Sequence, residues 1–273
     1  MIGSASAPHL DGCQSQPLHT AALAGVLGVM TDIDDTLTAD GRLDPPAAEA
    51  LAALHAAGVP VIAITGRPQG WSEPFALQWP LRAIVAENGA VALIPDGRGG
   101  LQIEYAQDAA TRAANALRLQ AAAARVLRAV PGARLATDSP GRVTDIAIDH
   151  SEFNHLDDAA IAQVVALLRE DGLTATVSSI HVNGWFGTHT KLSAAHWMLQ
   201  RLFGRALAPE QHRWVYVGDS TNDQAMFGAF PLSVGVANLM RFAPQLHTWP
   251  AFITQGERGA GFAEVAQAVL AAR

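Results

Sequence analysis

The stretch that decides the fold runs from Val26 to Thr38 and reads VLGVMTDIDDTLT. Its first half is an apolar run, which is typical of a parallel strand buried on both faces. Its second half carries Asp32, Asp34 and Asp35 in close succession. Crowded carboxylates repel one another, and a divalent cation removes that conflict. The stretch therefore predicts a buried strand that ends in a site for a metal ion.

Strands and helices alternate after this stretch. Buried strands are predicted over Val59 to Ile64 and over Ala83 to Ala86, and Val91 to Ile94 reads as a hairpin partner. A helix is expected to begin after Asp44, which can cap it, and to end at Gly58. This order of elements implies a parallel sheet with right-handed crossovers.

The sequence pattern changes in the middle of the chain, after the glycine-rich turn at Asp96 to Gly100. It contains helices and strands of its own, including a long helix rich in Ala, Arg and Leu from roughly Asp108 to Val130. From about Gly187 the first alternation resumes, with a helix over Lys191 to Phe203 and a strand over Trp214 to Val217. The middle block therefore reads as an inserted subdomain.

The predicted fold class is α/β, with a core and an inserted cap. The core is a Rossmann-like parallel sheet in residues 21–98 and 186–273, and the α/β cap takes residues 99–185. Residues 1–20 lack periodicity and are rich in small residues, so we expect a flexible N-terminal extension. Ligands of open parallel sheets bind at the carboxyl ends of the strands, so polar residues there are the candidate site.

Composition and charge narrow the function classes. Of the 273 residues, 49% are hydrophobic and 16% are charged, which is enough to bury a sizeable core. The net charge is -7 without a Lys/Arg cluster, so we expect a small-molecule partner and neither a nucleic acid nor a membrane. The apolar segment Ala21 to Met30 is too short to span a bilayer and lacks the basic start of a signal peptide. The single cysteine, Cys13, fits a reducing, cytoplasmic setting.

Four polar groups follow predicted core strands or begin a core helix. They are, in chain order, Asp32 with Asp34, Thr65 with Gly66, Lys191, and Asp219 with Asn222 and Asp223. A carboxylate nucleophile forms an aspartyl-phosphate intermediate, and a second carboxylate can protonate the leaving oxygen. A hydroxyl and an ammonium can hold phosphoryl oxygens, and Mg²⁺ suits carboxylate and phosphate oxygens best. The pattern predicts a metal-assisted centre for phosphoryl transfer.

These groups, in this order, closely resemble the motifs of the haloacid dehalogenase superfamily of phosphatases. The matching residues are Asp32, Asp34 and Thr36 for Asp-x-Asp-x-Thr, Thr65 for the Ser/Thr, Lys191 for the Lys, and Gly218, Asp219 and Asp223 for Gly-Asp-x-x-x-Asp. The resemblance implies that Asp32 is the nucleophile and a Mg²⁺ ligand. It also implies that Asp34 is the general acid/base and binds the metal through its backbone carbonyl. Asp219 is then a further ligand, and we expect Asp223 at or beside the metal.

The place of the insertion refines the resemblance. The insertion falls between the second and third motifs, and Glu87 to Ala90, read as ENGA, resembles a signature of the subgroup with a large α/β cap there. That subgroup includes phosphatases of trehalose, sucrose and mannosylglycerate phosphates. The resemblance thus implies magnesium-dependent hydrolysis of a small phosphate monoester, a sugar phosphate. One departure is that Lys191 precedes Leu192, where the subgroup often has glycine.

Candidate substrate contacts come from the motif loops and from the end of the cap. They are Thr65, Gly66, Asn88, His181, Asn183, Lys191 and Asn222. His181 and Asn183 lie where the cap returns to the core, a junction that should overlook the cleft. An arginine in the position of Arg67 more often forms a structural ion pair, so we place it outside the predicted site.

Two other functions stay open at this stage. A phosphomutase or another phosphotransferase would use the same core chemistry with a different acceptor hydroxyl. A non-catalytic sugar-phosphate binding protein would need the same phosphate contacts, although the complete set of catalytic groups argues against it.

Overall fold

The computed structural model describes residues 15–18 and 23–273 as an alternation of strands and helices. The strands are β1 (Gln16–Pro17), β2 (Gly28–Thr31), β3 (Thr38–Ala39), β4 (Arg42–Leu43), β5 (Val61–Ile64), β6 (Ala83–Ala86), β7 (Val91–Pro95), β8 (Leu101–Tyr105), β9 (Arg134–Leu135), β10 (Asp145–Asp149), β11 (Thr174–Val177), β12 (His181–Trp185), β13 (Trp214–Gly218), β14 (Leu232–Gly235) and β15 (Phe252–Ile253). The α-helices are α1 (Pro45–Ala56), α2 (Gln69–Gln78), α3 (Ala109–Ala129), α4 (Asp158–Glu170), α5 (Lys191–Phe203), α6 (Gln224–Ala229) and α7 (Arg258–Ala271). In this part of the chain, no helix has the length and apolar character needed to cross a membrane.

Nine strands form the core sheet in the order β1-β15-β14-β13-β2-β5-β6-β7-β8. Neighbours from β1 to β6 in that order are parallel, while β7 is antiparallel to both β6 and β8. Successive residues of a strand point to opposite faces. Val29 therefore joins the apolar layer of α1 and α7, whereas Met30 joins that of α5 and α6. This arrangement confirms the predicted α/β core.

The cap has a sheet of its own, in which all pairs are antiparallel in the order β11-β12-β10-β9. Helices α3 and α4 pack together and against this sheet. Residues such as Val126, Ile148 and Leu168 form a separate apolar cluster between these layers. The inserted segment thus buries a core of its own.

The core sheet extends past the expected start of the cap at residue 99. Leu101–Tyr105 pairs antiparallel with Val91–Pro95, so the glycine-rich turn at Asp96 to Gly100 closes a hairpin within the core sheet. The change from core to cap follows Tyr105. The composition of the turn suggested a boundary because hairpin turns and linkers favour the same residues.

The N-terminal region also differs from the sequence expectation. Gln16–Pro17 pairs in parallel with Phe252–Ile253 and forms the edge of the core sheet, so these residues are not a flexible extension. Cys13 and the remainder of residues 1–20, apart from Ser15 and Leu18, lie outside the described residues. The side chain of Asp44 makes no capping bond, although α1 begins directly after it with two prolines that lack an N–H donor.

Candidate active site

The carboxyl ends of β2 and β13 bring three aspartates together. Asp32 follows β2, and Asp219 follows β13, which lies parallel beside it. The Asp32 N–H donates to the Val217 carbonyl at 2.9 Å and ties the two loops together. Asp223 closes the next turn, and its carboxylate accepts from the Asp219 N–H at 3.0 Å. We call Asp32, Asp219 and Asp223 the aspartate triad.

The aspartate triad is buried and short of positive charge. One ligand oxygen from each member lies within 4.8 Å of the others. The ammonium of Lys191 lies 2.7 Å from Asp32 Oδ1 and 2.8 Å from Asp223 Oδ1. Arg241 comes within 3.6 Å of Asp219, but its side chain is half exposed. Asp32 and Asp223 therefore share one buried cation, while the charge opposite Asp219 is half exposed.

Burial raises the pKa of two members of the aspartate triad. It raises the pKa of Asp32 to about 7, and Lys191 offsets only part of that rise. Burial and the neighbouring carboxylates raise the pKa of Asp219 well above its usual value. Asp219 Oδ1 has no hydrogen-bond partner among the described residues. Unmatched negative charge and an orphaned oxygen are what a divalent cation with oxygen ligands would satisfy, so the triad fits a metal site.

Lys191 is the first residue of α5, and its position depends on how that helix begins. The Thr190 hydroxyl accepts from the Ser193 N–H at 3.1 Å, and the Ser193 hydroxyl accepts from the Thr190 N–H at 2.8 Å. Such a capping box fixes the start of a helix. Although burial alone would lower the pKa of Lys191, Asp223 and Asp32 raise it above its ordinary value. The ammonium is therefore a fixed positive charge, with Asn222 Oδ1 at 3.5 Å.

The carboxylate of Asp34 is not part of the aspartate triad and is bound instead by an arginine. It accepts a bond of 2.8 Å from Arg67 Nε, and the Arg67 side chain is only 4% exposed. The same guanidinium contacts two cap carboxylates, Glu152 at 2.7 Å and Asp138 at 3.2 Å. We call these four residues the Arg67 cluster. A contact of Asp34 with a metal would have to use its backbone carbonyl, as the resemblance implies.

Sequence reasoning expected Arg67 to form a structural ion pair, and in the structure it pairs with Asp34, Glu152 and Asp138 at the wall of a cavity. The only sequence signal was an arginine directly after Thr65 and Gly66, at the end of a buried strand. Its cap partners lie 71 and 85 residues away along the chain, and no spacing rule links them. Glu152 and Asp138 are likewise residues that the sequence did not single out.

Thr65 and Gly66 form the loop after β5, which lies beside β2. The Thr65 hydroxyl is buried and accepts from the Arg67 N–H at 3.0 Å, which shapes the turn. A Cβ at Gly66 would lie 3.1 Å from Asn183 Oδ1 on the cap, closer than ordinary packing allows. The absence of a side chain at Gly66 thus lets the cap approach this loop.

Asn88 and Asn183 meet a buried cap carboxylate, Asp145. Their Nδ2 atoms lie 3.4 and 3.3 Å from Asp145 Oδ2. Arg142 donates to Asp145 at 2.8 Å and to the Gly66 carbonyl at 3.0 Å. Burial raises the pKa of Asp145 to about 7 against the influence of Arg142. Asn183 Nδ2 also lies 3.4 Å from the Gly66 carbonyl of the core, so the two asparagines, expected as substrate contacts, link the cap to the core in this arrangement.

Glu87 gives a physical reason for the ENGA signature. Its buried carboxylate accepts from the N–H groups of Val143 and Thr144 on the cap and of Gln69 on the core. A carboxylate that gathers backbone donors from two domains holds them in a fixed relation. The signature therefore supports the position of the cap.

A cavity of about 410 Å³ opens between the core and the cap beside Asp34. Its core wall includes Asp34, Asp35, Thr38, Arg67, Arg241 and Arg258, and its cap wall includes Ser151, Glu152, Phe153, Ser179 and Ile180. His181 holds the Glu152 side chain of this wall, since His181 Nε2 lies 2.9 Å from Glu152 Oε2. The cap wall comes from the loops after β10 and β11, whose sequence carries no motif that would have revealed it.

Comparisons with known proteins identify the fold. Residues 29–122 match the family model described as haloacid dehalogenase-like hydrolase. The fold is that of the haloacid dehalogenase superfamily, with an inserted cap. The resemblance drawn from the motifs is thereby confirmed at the level of the superfamily fold. The matched range includes Asp32, Asp34 and Thr65, whereas Lys191 and Asp219 lie beyond it.

Solved structures share this superfamily fold over most of the chain. A protein from Thermoplasma acidophilum superposes with a TM-score of 0.69 at 15% identity, covering 90% of this chain and 98% of its own. The sucrose-phosphatase from Synechocystis sp. PCC6803, solved with sucrose and phosphate, gives 0.63 at 17% identity over 88% and 96%. A trehalose-6-phosphate phosphatase related protein gives 0.58 at 15% identity over 89% and 97%. No curated protein matches the sequence.

Proposed function

We propose that this protein hydrolyses a small phosphate monoester, with Asp32 as nucleophile and magnesium as cofactor. The observation that carries the proposal is the position of Asp32. Its carboxylate lies in the aspartate triad, at the carboxyl edge of the sheet, with the Lys191 ammonium at 2.7 Å. Few structural roles account for three buried carboxylates around one lysine, whereas phosphoryl transfer needs this set of charges.

The reaction would proceed in two displacements. A carboxylate oxygen of Asp32 attacks phosphorus, the bond from phosphorus to the leaving oxygen breaks, and Asp34 protonates that oxygen to release an alcohol. Asp34 then accepts a proton from water as the water oxygen attacks phosphorus. Inorganic phosphate leaves, and the Asp32 carboxylate is restored.

The side chains around Asp32 have defined roles in these steps. Magnesium held by the aspartate triad would neutralise charge that collects on the phosphoryl oxygens. The Lys191 ammonium supplies a second positive charge there, with Asn222 beside it. The Thr65 hydroxyl accepts from Arg67 and keeps its own hydrogen for a phosphoryl oxygen.

We propose a sugar phosphate as the substrate. The cavity beside Asp34 presents hydroxyl and charged side chains, including Ser151, Ser179 and Glu152, which suit a polyol. The similar structures include a sucrose-phosphatase, which supports the same class. Asn88, Asn183 and His181 would reach the substrate only after exchanging their present bonds to Asp145 and Glu152. A cytoplasmic location is proposed from the cysteine content alone.

The test is release of inorganic phosphate from a panel of phosphate monoesters, with magnesium and with a chelator. The panel contains trehalose, sucrose and mannosylglycerate phosphates, hexose phosphates and phosphoglycolate. We expect turnover of at least one sugar phosphate that the chelator abolishes and that Asp32→Asn lacks. Turnover that survives the chelator, or that persists in Asp32→Asn, would contradict the proposal.

A further inference from the structure

Arg67 joins the proposed general acid to the cap. One edge of its guanidinium, at Nε, contacts Asp34 Oδ1 at 2.8 Å. Its two Nη groups contact the Glu152 carboxylate at 2.7 and 3.3 Å, and Nη1 also contacts Asp138 at 3.2 Å. Asp34 belongs to the core, whereas Glu152 and Asp138 belong to the cap. One guanidinium group is therefore bonded to carboxylates of both the core and the cap.

The core end of this connection is rigid. The Arg67 N–H donates to the Thr65 hydroxyl at 3.0 Å, and the Arg67 carbonyl accepts from the Glu87 N–H at 2.9 Å. The ring of Trp71 lies 4.9 Å from the centre of the guanidinium and limits its rotation. Arg67 is thus anchored to the loop proposed to bind the phosphoryl group.

The cap end is equally fixed. The Asp149 carboxylate accepts from the N–H groups of Ser151, Glu152 and Phe153 at 2.9 to 3.1 Å, which shapes the loop that carries Glu152. His181 holds the second oxygen of Glu152 at 2.9 Å. Glu152 therefore occupies one place on the cap, and that place faces Arg67 only when the cap lies against the core.

We propose that Arg67 is a positioning residue, held by the cap through Glu152, that keeps the Asp34 carboxylate oriented toward the leaving oxygen. This inference rests on the proposed function, because it assigns Asp34 the role of general acid. Among the described residues, Arg67 is the cation that forms an ion pair with Asp34. If the cap moves away, Arg67 loses two of its three carboxylates, and the cap no longer holds the guanidinium in place against Asp34. Acid catalysis is in this way tied to closure of the cap.

The test uses three substrates of similar size whose leaving groups need increasing help from an acid. They are p-nitrophenyl phosphate, phenyl phosphate and benzyl phosphate, assayed for kcat/KM with magnesium. Asp34→Asn, which lacks the acid, gives the reference pattern. A residue that only supports the fold would lower all three values by one factor, whereas a residue that orients the acid changes their ratio.

We expect Arg67→Met to lower kcat/KM for benzyl phosphate by about 100-fold, the lower end of general acid catalysis, and for p-nitrophenyl phosphate by about 3-fold or less. Glu152→Gln should give the same pattern with a smaller loss. Adding Arg67→Met to Asp34→Asn should change the ratio no further, since the acid is already absent. Arg142→Met is the matched control. It removes another buried arginine between cap and core, which shares Asp138 with Arg67 but contacts neither Asp34 nor Glu152, so it should lower all three values equally.

An equal loss on the three substrates in both Arg67→Met and Glu152→Gln would overturn the inference. So would an Arg67→Met effect that adds in full to that of Asp34→Asn. If Arg67→Met does not fold, Glu152→Gln and its combination with Asp34→Asn test the inference through the same ratio of kcat/KM values. Failure of the wild-type protein to hydrolyse any of the three, or any sugar phosphate, would instead reject the proposed function itself.

Discussion

The aspartate triad and the Arg67 cluster are two buried groups of carboxylates that differ in how far cations balance their negative charge. In the Arg67 cluster, Arg67 contacts all three carboxylates, Arg142 also pairs with Asp138, and His181 also bonds Glu152. In the aspartate triad, the buried Lys191 pairs with Asp32 and Asp223, whereas Asp219 pairs with the half-exposed Arg241, and one oxygen of Asp219 is left without a hydrogen bond in the described structure.

This difference in charge balance indicates that the two groups have different functions. A buried carboxylate without a partner destabilises the folded chain, so an incomplete group persists where a ligand completes it. The aspartate triad has the composition of a cation site, whereas the Arg67 cluster has that of a fixed joint between core and cap. Changes to the two groups should therefore have opposite consequences in the metal-free protein.

The largest expected effect is that of Asp32→Asn. It replaces the proposed nucleophile with an amide of the same shape, and loss of a nucleophile lowers kcat by about 10⁴-fold or more. The measurement is steady-state phosphate release, with circular dichroism to show that the fold is kept. Residual turnover within about tenfold of wild type would remove Asp32 from this role.

The next effect is stabilisation by magnesium. A ligand that binds only the folded state at 100 times its Kd adds about 2.7 kcal/mol to the free energy of unfolding. We expect magnesium to raise the Tm of the wild-type protein and to have a much smaller effect on Asp219→Asn. Calcium and sodium chloride at matched ionic strength are the controls. An equal rise in both proteins would show that the metal acts elsewhere.

Paired substitutions test the comparison directly without any metal. We expect Asp219→Asn to raise the free energy of unfolding by about 1 to 2 kcal/mol, because the folded chain no longer has to bury a charge or take up a proton there. Asp34→Asn should lower it by a similar amount, since Arg67 loses a carboxylate. Urea denaturation in chelator measures both. The same sign for the two changes would refute the contrast between the groups.

The smallest effect concerns the pH dependence of the Arg67 cluster. His181 and Arg67 lower the pKa of Glu152 from 4.5 to about 2 although burial opposes them. A depressed carboxyl pKa adds stability that is complete above pH 4.5 and is lost as the pH falls toward 2. Wild type should therefore exceed Glu152→Gln in stability by on the order of 1 to 2 kcal/mol at pH 7, with a gap that narrows in acid. A gap independent of pH would contradict this.

The sequence predicted the core of the molecule well because its signals are local. The strand Ala83–Ala86 and the helix Lys191–Phe203 have their predicted bounds, since apolar runs and capping residues mark both. The turn at Asp40 and Gly41 was overlooked, although a two-residue turn with positive φ at both positions favours this pair. The motif residues Asp32, Asp219 and Lys191 meet as expected because each lies at the carboxyl edge of one parallel sheet.

The walls of the cavity were not predictable in the same way. Glu152 is separated from Arg67 by 85 residues, and its place depends on the Asp149 loop and on how the cap packs against the core. Such contacts leave no periodic or motif signal in a single sequence. For Asn88 and Asn183, the sequence predicted a position near the cleft. It did not predict their bonds to Asp145.

The most direct test of the central claim is to trap the phosphoryl group on the enzyme. Wild type and Asp34→Asn are mixed with p-nitrophenyl phosphate and magnesium, quenched in acid within milliseconds, and digested for mass spectrometry. The account predicts a phosphorylated peptide that contains Asp32, with more label in Asp34→Asn because the water that breaks the intermediate lacks its base. Turnover by the wild-type protein with no phosphate on Asp32 in either protein would contradict it.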